Sequence, residues 1–409
     1  MKKVLILLFL ILLFSHSLYA QTQPVSDGIV DEFYPEGALK AQREYVQGQL
    51  NGVSKTFYPN GKTITEGHYK DGQLDGTLKS YYDSGQLYFV KEFKNGLLEG
   101  ESVEYFPNGK QKSKEYYKAD ELDGSNLYYF ENGLIQYKMD FKNGQLNGLS
   151  QEFFDNGILK NEAHYENERL QGAVKQWDKD GHLEANWNYA QGLRQGLSQI
   201  FYPNGQIKWE ANFKDDQIFG STTAYSEDGS VIIKTTFRSG VLEGVSQEFY
   251  ADGVLKSETP YKNDMKNGLS REYYENGQLK LEQDFMNDRV FGHSTEYFEN
   301  GNIKTSRRYT NKNSDGVLEE FYQDRTLKQR WTIRNGQYEG PSQSYYNTGE
   351  LMTEERYKTG VKEGINKIYH PDGKMAFEDT YKQGIRVLRK VFNSEGKLIS
   401  EVKGNKNDS

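Results

Sequence analysis

The chain has 409 residues, of which only 35% are hydrophobic, and its formal net charge is −8. A hydrophobic fraction this low is thin for two or three large globular cores, although 14% of the residues are aromatic, which indicates that apolar surface is concentrated in amphipathic rings. An acidic chain lacks the clustered Lys and Arg that nucleic acid and anionic lipid require, and the absence of cysteine excludes disulfides, thiolate metal sites and thiol catalysis.

The N-terminal segment predicts export across a membrane. Lys2 and Lys3 precede the apolar run Val4–Phe14, and the sequence SHSLYA then predicts signal cleavage after Ala20. The apolar run is too short for an ordinary transmembrane helix, and no later segment is apolar enough to span a bilayer. We therefore expect residues 1–20 to be a signal peptide and the mature chain to be periplasmic, at the cell surface or secreted, with an uncleaved anchor as the alternative.

Glycine recurs in two columns when the chain is aligned with a period of 24 residues. The first column runs from Gly28 to Gly364 and is glycine at all fifteen positions, and the second runs from Gly37 to Gly373 with Arg325 as its exception. We expect these glycines to be structural, because a fixed glycine marks positive φ or a close backbone approach. Representative turn glycines of the two columns are Gly52, Gly61, Gly76, Gly85, Gly100 and Gly109.

Two aromatic columns accompany the glycines. One runs from Phe33 to Tyr369 and is aromatic at all fifteen positions, and the other runs from Tyr45 to Tyr381 with Ile333 as its exception. A strict period of this size predicts a repeat array, in which one repeat cannot bury its own apolar face and neighbouring repeats bury it together.

Each repeat predicts a β-hairpin rather than a helix, because glycine recurs too often and no window shows a helical stripe. Residues 52–76 contain a first strand at Val53–Tyr58, the turn YPNG, a second strand at Lys62–Tyr69 and the connection KDGQLDG. Proline two residues before the turn glycine favours a type I turn with a bulge, whose three-residue loop sets Phe57 opposite Thr63. A two-residue Asn-Gly turn is the alternative.

The choice of turn decides which side chains share a face, because a one-residue slip moves every side chain to the other face of the sheet. With the three-residue loop, we expect the column of Phe57, a Leu/Ile column, the column of Tyr45 and the aliphatic column of Val53 to share one apolar face. The lysines in register with Lys40 and the glutamates in register with Glu66 then share the opposite face. We adopt this loop because it separates apolar from charged side chains.

The predicted fold is all-β: an elongated open antiparallel sheet of tandem 24-residue β-hairpin repeats, which makes a solenoid-like rod. About fifteen repeats occupy residues 21–384, and residues 385–409 are expected to be a C-terminal capping hairpin with a charged tail. An open sheet of this kind has two exposed edges, which invite aggregation unless they are blunted.

The sequences YYENGQLK, FYPNGQIK and FKNGQLNG resemble MORN repeats in their bacterial variant form. The resemblance covers residues 28–396, and it implies stacked β-hairpins and a role in scaffolding or protein interaction. Ordinary MORN repeats carry a Gly-x-Gly pair where this chain has a single glycine, so motifs implicated in lipid contact are not carried over. Some bacterial variants are labelled antitoxin components, which implies an antitoxin-like or immunity role as an alternative, although an antitoxin meets its toxin in the cytoplasm and a signal peptide argues against this.

Catalytic and metal-binding patterns are missing from the sequence. It contains no His-x-x-x-His, Gly-x-Ser-x-Gly or Gly-x-x-x-x-Gly-Lys motif. A glutamate ladder is expected to be a solvated face that holds lysines across the strand, because calcium loops and glycosidase pairs need carboxylates gathered in one place. The ladder consists of Glu152, Glu248, Glu272, Glu296 and Glu320. We therefore expect a non-enzymatic protein without cofactor or metal.

A second aromatic row follows the invariant aromatic column by one residue. The parity of the strand places it on the face of the lysines, where exposed rings could stack sugars or receive an extended partner. The alternative is that the rings pack across strands over the aliphatic stems of lysines. The candidate partner-binding residues of this second aromatic row are Tyr250, Tyr274, Phe298, Tyr322 and Tyr346.

The sequence thus favours an exported repeat scaffold that binds a protein partner along an extended β surface. A rod that binds glycan or cell wall through the second aromatic row is a further alternative. It is weakened because sugar platforms favour tryptophan, and the four Trp of this chain fall in no regular register. Nucleic acid is not an expected partner.

Overall fold

The computed structural model describes residues 26–310 and 315–404, and the predicted signal peptide lies outside them. The described part of the chain contains 38 strands and no helix, and therefore no helix that could cross a membrane. The chain divides into two compact units. The first contains the described residues up to Gln171 together with Trp177–Gly181, and the second contains Gly172–Gln176 together with the described residues from His182 onward. Within each unit, successive strands pair antiparallel in an open sheet of tandem hairpins, as predicted.

The strands are numbered in chain order. The first unit contains β1 (Gly28–Phe33), β2 (Leu39–Val46), β3 (Gln49–Phe57), β4 (Thr63–Lys70), β5 (Gln73–Tyr81), β6 (Leu87–Lys94), β7 (Leu97–Tyr105), β8 (Gln111–Lys118), β9 (Glu121–Leu122), β10 (Gly124–Tyr129), β11 (Ile135–Lys142), β12 (Gln145–Phe153), β13 (Leu159–Glu166) and β14 (Arg169–Leu170). The residues of β15 (Gly172–Trp177) are divided between the two units.

The second unit continues with twenty-three further strands. They are β16 (Leu183–Ala190), β17 (Leu193–Arg194), β18 (Gly196–Phe201), β19 (Ile207–Lys214), β20 (Gln217–Tyr225), β21 (Val231–Arg238), β22 (Val241–Leu242), β23 (Gly244–Phe249), β24 (Leu255–Lys262), β25 (Met265–Lys266), β26 (Gly268–Tyr273), β27 (Leu279–Met286), β28 (Arg289–Tyr297), β29 (Ile303–Tyr309), β30 (Gly316–Phe321), β31 (Leu327–Arg334), β32 (Gln337–Tyr345), β33 (Leu351–Lys358), β34 (Val361–Lys362), β35 (Gly364–Tyr369), β36 (Met375–Lys382), β37 (Ile385–Phe392) and β38 (Leu398–Lys403).

The turn inside each repeat has the bulged geometry expected from its proline and glycine. The Gly61 N–H donates to the Tyr58 carbonyl oxygen at 2.8 Å, and the Tyr58 N–H donates to the Lys62 carbonyl oxygen at 2.8 Å. Gly61 has a φ of +83°, in the left-handed region. Phe57 accordingly pairs with Thr63, as the three-residue loop requires.

The connection between repeats is itself a tight hairpin, which the sequence prediction missed. Lys70 pairs with Gln73, so that only Asp71 and Gly72 form the turn. Their φ values of +49° and +81° are those of a type I′ turn, whose twist matches that of the flanking strands. The strand that follows starts at Gln73, so the predicted linker KDGQLDG is largely strand.

The all-glycine column lies in a wide bulge of the first strand of each repeat. In β3, three residues centred on Gly52 lie opposite Glu44 alone. Gly52 has a φ of +102°, which residues with a side chain rarely adopt, and the six representative glycines have φ values between +81° and +113°. The Glu44 carboxylate accepts the Val53 N–H at 3.3 Å, so a side chain caps a backbone group inside the bulge.

A second bulge, next to Phe57, changes the predicted distribution of the faces. Two residues of β4, Ile64 and Thr65, lie opposite a single residue of β3, which turns over every later residue of β4. The Tyr45 column therefore lies on the opposite face from the Phe57 column, and the Glu66 column lies on the same face as Phe57. The prediction had both columns the other way round, because it counted the loop but not the bulge beside it.

We name the two faces of each sheet by their columns. The glutamate face carries the columns of Val53, Phe57 and Glu66, and the serine face carries the columns of Ser54 and Tyr69. The second aromatic row also lies on the serine face, since it alternates with the Phe57 column.

Most of the buried side chains are small and lie on the serine face, although Phe213 and Ile333 on that face and Val103 on the glutamate face are also buried. The side chains of the aromatic columns, which the sequence predicted to form the apolar face between repeats, are mostly half-buried. Small side chains therefore form the close-packed line at the centre of each sheet. In the first unit this line includes Ala41, Ser54, Ser102, Ser113, Asn126 and Ala163, and in the second it includes Ala185, Ser198, Ala211, Ser270, Ser342 and Asn366.

Candidate binding surfaces

The second aromatic row forms hydrogen-bonded rungs between successive repeats. The Tyr274 hydroxyl donates to the Tyr297 carbonyl oxygen of the next repeat at 2.8 Å. The same bond recurs at 2.8, 3.0 and 2.8 Å from Tyr250, Tyr322 and Tyr346. Phe298 occupies the row without a hydroxyl, and all five side chains are half-buried. The row thus has a structural role in the sheet, whereas its role in partner binding stays a prediction.

Lysine side chains lie over the rings of the same row. Lys280 Nζ is 5.8 Å from the centroid of Tyr274, and Lys328 Nζ is 6.0 Å from that of Tyr322. Lys328 also pairs with Glu320 at 2.9 Å. The glutamate ladder, which lies on the serine face in the column of Thr56, therefore holds lysines of the neighbouring strand, as the sequence predicts. These ion pairs are half-exposed, so each stabilises the fold by only about 0–1 kcal/mol.

An exposed aliphatic column runs along the glutamate face of the second unit. Leu197, Val245 and Ile365 are 41%, 46% and 52% exposed. The sequence prediction placed this column on a buried apolar face. It is exposed because its neighbours in the sheet are polar: Ile365 pairs with Thr380 and alternates with Lys367 on the same face. Ser221, His293 and Pro341 occupy other positions of the same column, so the aliphatic side chains recur at intervals along this solvated face.

Tyrosine hydroxyls on the glutamate face donate to carboxylates of the preceding hairpin. The Tyr297 hydroxyl lies 2.8 Å from Glu282 Oε1, and the Tyr369 hydroxyl lies 2.9 Å from Glu354 Oε2. Burial, followed by the neighbouring carboxylate, raises the pKa of Tyr297 and of Tyr369 to about 12. Both groups are therefore neutral hydrogen-bond donors at ordinary pH, and the invariant aromatic column shares its face with charge.

Two tryptophans that the sequence left without a role meet on the serine face of the second unit. The ring centroids of Trp187 and Trp209 are 6.4 Å apart, with planes inclined by 49°. The Arg194 guanidinium lies 4.3 Å from the centroid of Phe213 and 6.0 Å from that of Trp187. These side chains line an open groove of about 580 Å³. The two tryptophans are 22 positions apart and outside the aromatic columns, so the sequence pattern carried no signal for this cluster.

Ten segments of the chain match the family model described as MORN repeat variant. They are residues 50–71, 74–95, 98–119, 146–167, 194–215, 242–263, 266–287, 292–311, 338–359 and 362–383. Because these segments together span more than half of the chain, the protein belongs to the MORN repeat variant family. No curated protein matches the chain.

Solved structures with some likeness to the chain belong to large toxin complexes. A crystal structure of TcdB2-TccC3 has a TM-score of 0.16 and 11% identity over 90% of this chain and 27% of that chain. A structure of the Photorhabdus luminescens Tc holotoxin pore has a TM-score of 0.17 and 12% identity over 90% of this chain and 23% of that chain. The protein spans about a quarter of the chains it matches, and likeness at these TM-scores supports no conclusion about function.

Proposed function

We propose that this protein is an exported, non-enzymatic scaffold that binds a protein partner along the glutamate face of its repeats. Membership of the MORN repeat variant family and the tandem hairpin fold are consistent with a repeat scaffold. Export is supported by Lys2, Lys3 and the apolar run that precedes Ala20. An N-terminal residue of Gln21 in the mature protein, determined by mass spectrometry, would support this part of the proposal, and recovery of the protein in the cytoplasmic fraction with Met1 retained would contradict it.

The observation that carries the proposal is the exposed aliphatic column of Leu197, Val245 and Ile365. Leu197 and Val245 are two repeats apart, and four strand spacings correspond to roughly 19 Å. Contacts spaced in this way suit an extended polypeptide better than a small molecule. Covering such side chains stabilises a complex by about 25 cal/mol per Å² of apolar surface removed from water.

The charge of the glutamate face indicates the chemistry of the partner. The carboxylates of Glu354 and Glu378 lie on this face beside the exposed Ile365, where Lys367 Nζ is 4.0 Å from Glu354 and Lys390 Nζ is 2.9 Å from Glu378, and the whole chain keeps a net charge of −8. We expect a partner surface in which apolar side chains alternate with Lys or Arg, because such a surface complements both properties.

A non-enzymatic role is supported by the repetition of the chemistry. The Tyr–Glu pair on the glutamate face recurs at Tyr225, Tyr297 and Tyr369, each with a carboxylate of the preceding hairpin. A catalytic centre is normally a single constellation in one enclosed cleft, whereas a recurring pair suits structure or repeated contact.

The proposal is tested by crosslinking in the native cell envelope with the combined variant Leu197→Ser, Val245→Ser and Ile365→Ser. We expect the crosslinked adduct of the unsubstituted protein to disappear while the circular dichroism spectrum stays unchanged. Ile232→Ser is the matched control, because Ile232 is 43% exposed but lies on the serine face. An adduct that survives in the triple variant, or that is lost equally in the control, contradicts the proposal.

A further inference from the structure

We infer that Trp187 and Trp209 form a binding site for a neutral carbohydrate on the serine face of the second unit. This site goes beyond the proposed protein-binding surface, which lies on the glutamate face and uses none of the same residues. The inference rests on the placement of the two rings, the shape of the groove and the balance of charge around it.

The side chains at the two tryptophan positions vary in size and polarity from one repeat to another, and at each position an adjacent repeat has alanine. Trp187 is in the column of Ala211, and Trp209 is in the column of Ala185. Both alanines are buried, at 0% and 5% exposure. Since these columns hold side chains from glycine and alanine to large aromatic rings in other repeats, the hairpin fold itself does not require an indole at either position. The two indoles are half-buried, so part of each ring is available to a ligand.

The rings form one wall of an open groove whose size suits a small ligand. Ile200 and Ile218 complete its apolar lining, and its volume is about 580 Å³. Small-molecule sites usually measure about 300–1,000 Å³ and combine an apolar lining with a few polar groups. The inclination of 49° between the two indoles presents two ring surfaces to the groove rather than one continuous stack.

The polar groups at the groove carry both signs of charge. Asp216 Oδ1 accepts the Arg194 backbone N–H at 2.8 Å and lies 3.5 Å from Arg194 Nε. This pairing compensates the guanidinium charge, so an anionic ligand gains little there. Arg194 supplies donors, Asp216 supplies acceptors, and the amide of Gln217, which also lines the groove, supplies both.

This combination matches the chemistry of a pyranose. A sugar ring has an apolar C–H surface that packs on an aromatic face, and its hydroxyls both donate and accept hydrogen bonds around the rim. A wholly apolar ligand would instead leave the rim groups without partners, which is unfavourable. A neutral oligosaccharide therefore fits the groove better than an anion or a lipid tail.

A second aromatic cluster in the same unit provides an internal control. Trp331 is in the column of Trp187, and Tyr338 is in the column of Arg194. The Trp331 and Tyr338 rings are stacked, 5.9 Å apart and inclined by only 25°, and the position equivalent to Trp209 is Thr353. The Tyr338 ring thus covers one face of the Trp331 indole, and no second indole corresponds to Trp209. We therefore expect no sugar binding at Trp331.

The test is titration of the full-length protein with triacetylchitotriose and with cellotriose, followed by tryptophan fluorescence and calorimetry. We expect saturable binding of at least one trisaccharide. Trp187→Ala and Trp209→Ala should each weaken its affinity by about tenfold or more, the change that corresponds to about 1.4 kcal/mol. Trp331→Ala should leave the affinity unchanged within about twofold.

Loss of folding is separated from loss of binding by Trp187→Phe and Trp209→Phe, which keep a ring at each position, and by the circular dichroism of every variant. The absence of saturable binding with either trisaccharide, or equal losses in Trp187→Ala and Trp331→Ala, overturns the inference. The triple serine variant of the exposed aliphatic column should bind sugar normally, so the two proposals fail independently.

Discussion

The side chains that look like turn and surface residues in the sequence connect one repeat to the next. Asn132 Oδ1 accepts the Leu134 N–H within its own turn at 2.9 Å, and its Nδ2 donates to the Asp155 carbonyl oxygen of the next repeat at 2.8 Å. Asp252, in an equivalent turn, accepts the Val254 N–H at 3.0 Å but has no N–H to donate onward. Asparagine is therefore preferred over aspartate where a turn must hold its neighbour as well as itself.

The rung made by Tyr274 predicts a measurable contribution to stability. Tyr274→Phe removes the hydroxyl that caps the Tyr297 carbonyl and should lower the free energy of unfolding by about 0.5–1.5 kcal/mol, measured by urea denaturation. Phe298→Tyr is the reciprocal variant, because it adds the missing hydroxyl in the next repeat, and it should stabilise by up to about 1 kcal/mol. Equal stability of all three proteins would show that the rungs contribute nothing.

The tyrosine–glutamate pairs predict a loss of stability at high pH. An unfolded tyrosine ionises with a pKa of about 10, whereas burial and Glu282 raise the pKa of Tyr297 to about 12 in the folded protein. The folded state then retains a proton that the unfolded state has lost, so stability is complete below about pH 10 and falls as the pH rises from about 10 to about 12.

Glu282→Gln tests the electrostatic part of that shift, because it removes the charge and keeps a hydrogen-bond acceptor. We expect the pKa of Tyr297 to fall but to stay above the ordinary tyrosine value, since burial is the larger cause. The measurement is an NMR titration of labelled tyrosine rings. Tyr369, which bonds to Glu354 instead, is the internal control, and an equal shift of both tyrosines would contradict the assignment.

At the scale of the secondary-structure element, the glycines of the wide bulge differ in how tightly they are surrounded. Gly268 has a φ of +119°, and a Cβ built there would lie 2.9 Å from Pro260 Cγ. Gly364 is in the same column with a φ of +80°, and no atom lies within 4 Å of its Cβ position. Both backbones disfavour a side chain, but only Gly268 also faces a rigid ring.

Gly268→Ala should therefore destabilise the protein by more than Gly364→Ala. The left-handed backbone alone costs about 1–2 kcal/mol for a residue with a Cβ, and the contact with Pro260 adds to it. The two variants are compared by thermal and urea unfolding. An effect at Gly364 as large as that at Gly268 would show that backbone conformation alone decides the cost.

The sequence predicted the hairpins, the turn type and the pairing of Phe57 with Thr63, because glycine, proline and asparagine each have a direct conformational meaning. The Asp71-Gly72 pair indicates a type I′ turn just as clearly, but the prediction treated it as part of the linker KDGQLDG. The bulge beside Phe57 had no such signal, since Ile64 and Thr65 are ordinary strand residues.

The groove of Trp187 and Trp209 could not be predicted for a different reason. The two residues stand at different positions of successive repeats, and only the lateral pairing of strands brings them together. Alignment of the repeats compares equivalent positions, so it does not show which non-equivalent side chains meet on neighbouring strands. The exposure of Leu197 and Val245 was missed for the related reason that a strand pattern shows which side chains share a face but not what covers that face.

At the scale of the whole molecule, the described repeats of each unit bond to the next repeat through a few recurring groups, such as the tyrosine hydroxyls and the turn asparagines. Stability is then approximately a sum over repeats and their interfaces, as in other repeat proteins. The register of the array matters more than the number of its members. Removing one full period should leave every surviving hairpin with an equivalent neighbour.

Deletion of residues 244–267, which is one period of 24 residues, joins Glu243 to Gly268 in register. We expect this variant to fold, with a melting temperature within a few degrees of the intact protein. Deletion of residues 244–266 leaves Asn267 as an extra residue and should disrupt the neighbouring hairpins, because a slip of one residue exchanges the faces. Circular dichroism and thermal unfolding compare the two, and equal damage would contradict local stacking.

The equivalent hydrogen bonds between successive hairpins have a consequence for the gene. An in-frame crossover between the coding segments of two repeats, made at equivalent positions, adds or removes complete modules. The tyrosine hydroxyls and turn asparagines that are present donate to main-chain carbonyls, which every repeat offers, so related genes can differ in length by whole periods while their products still fold.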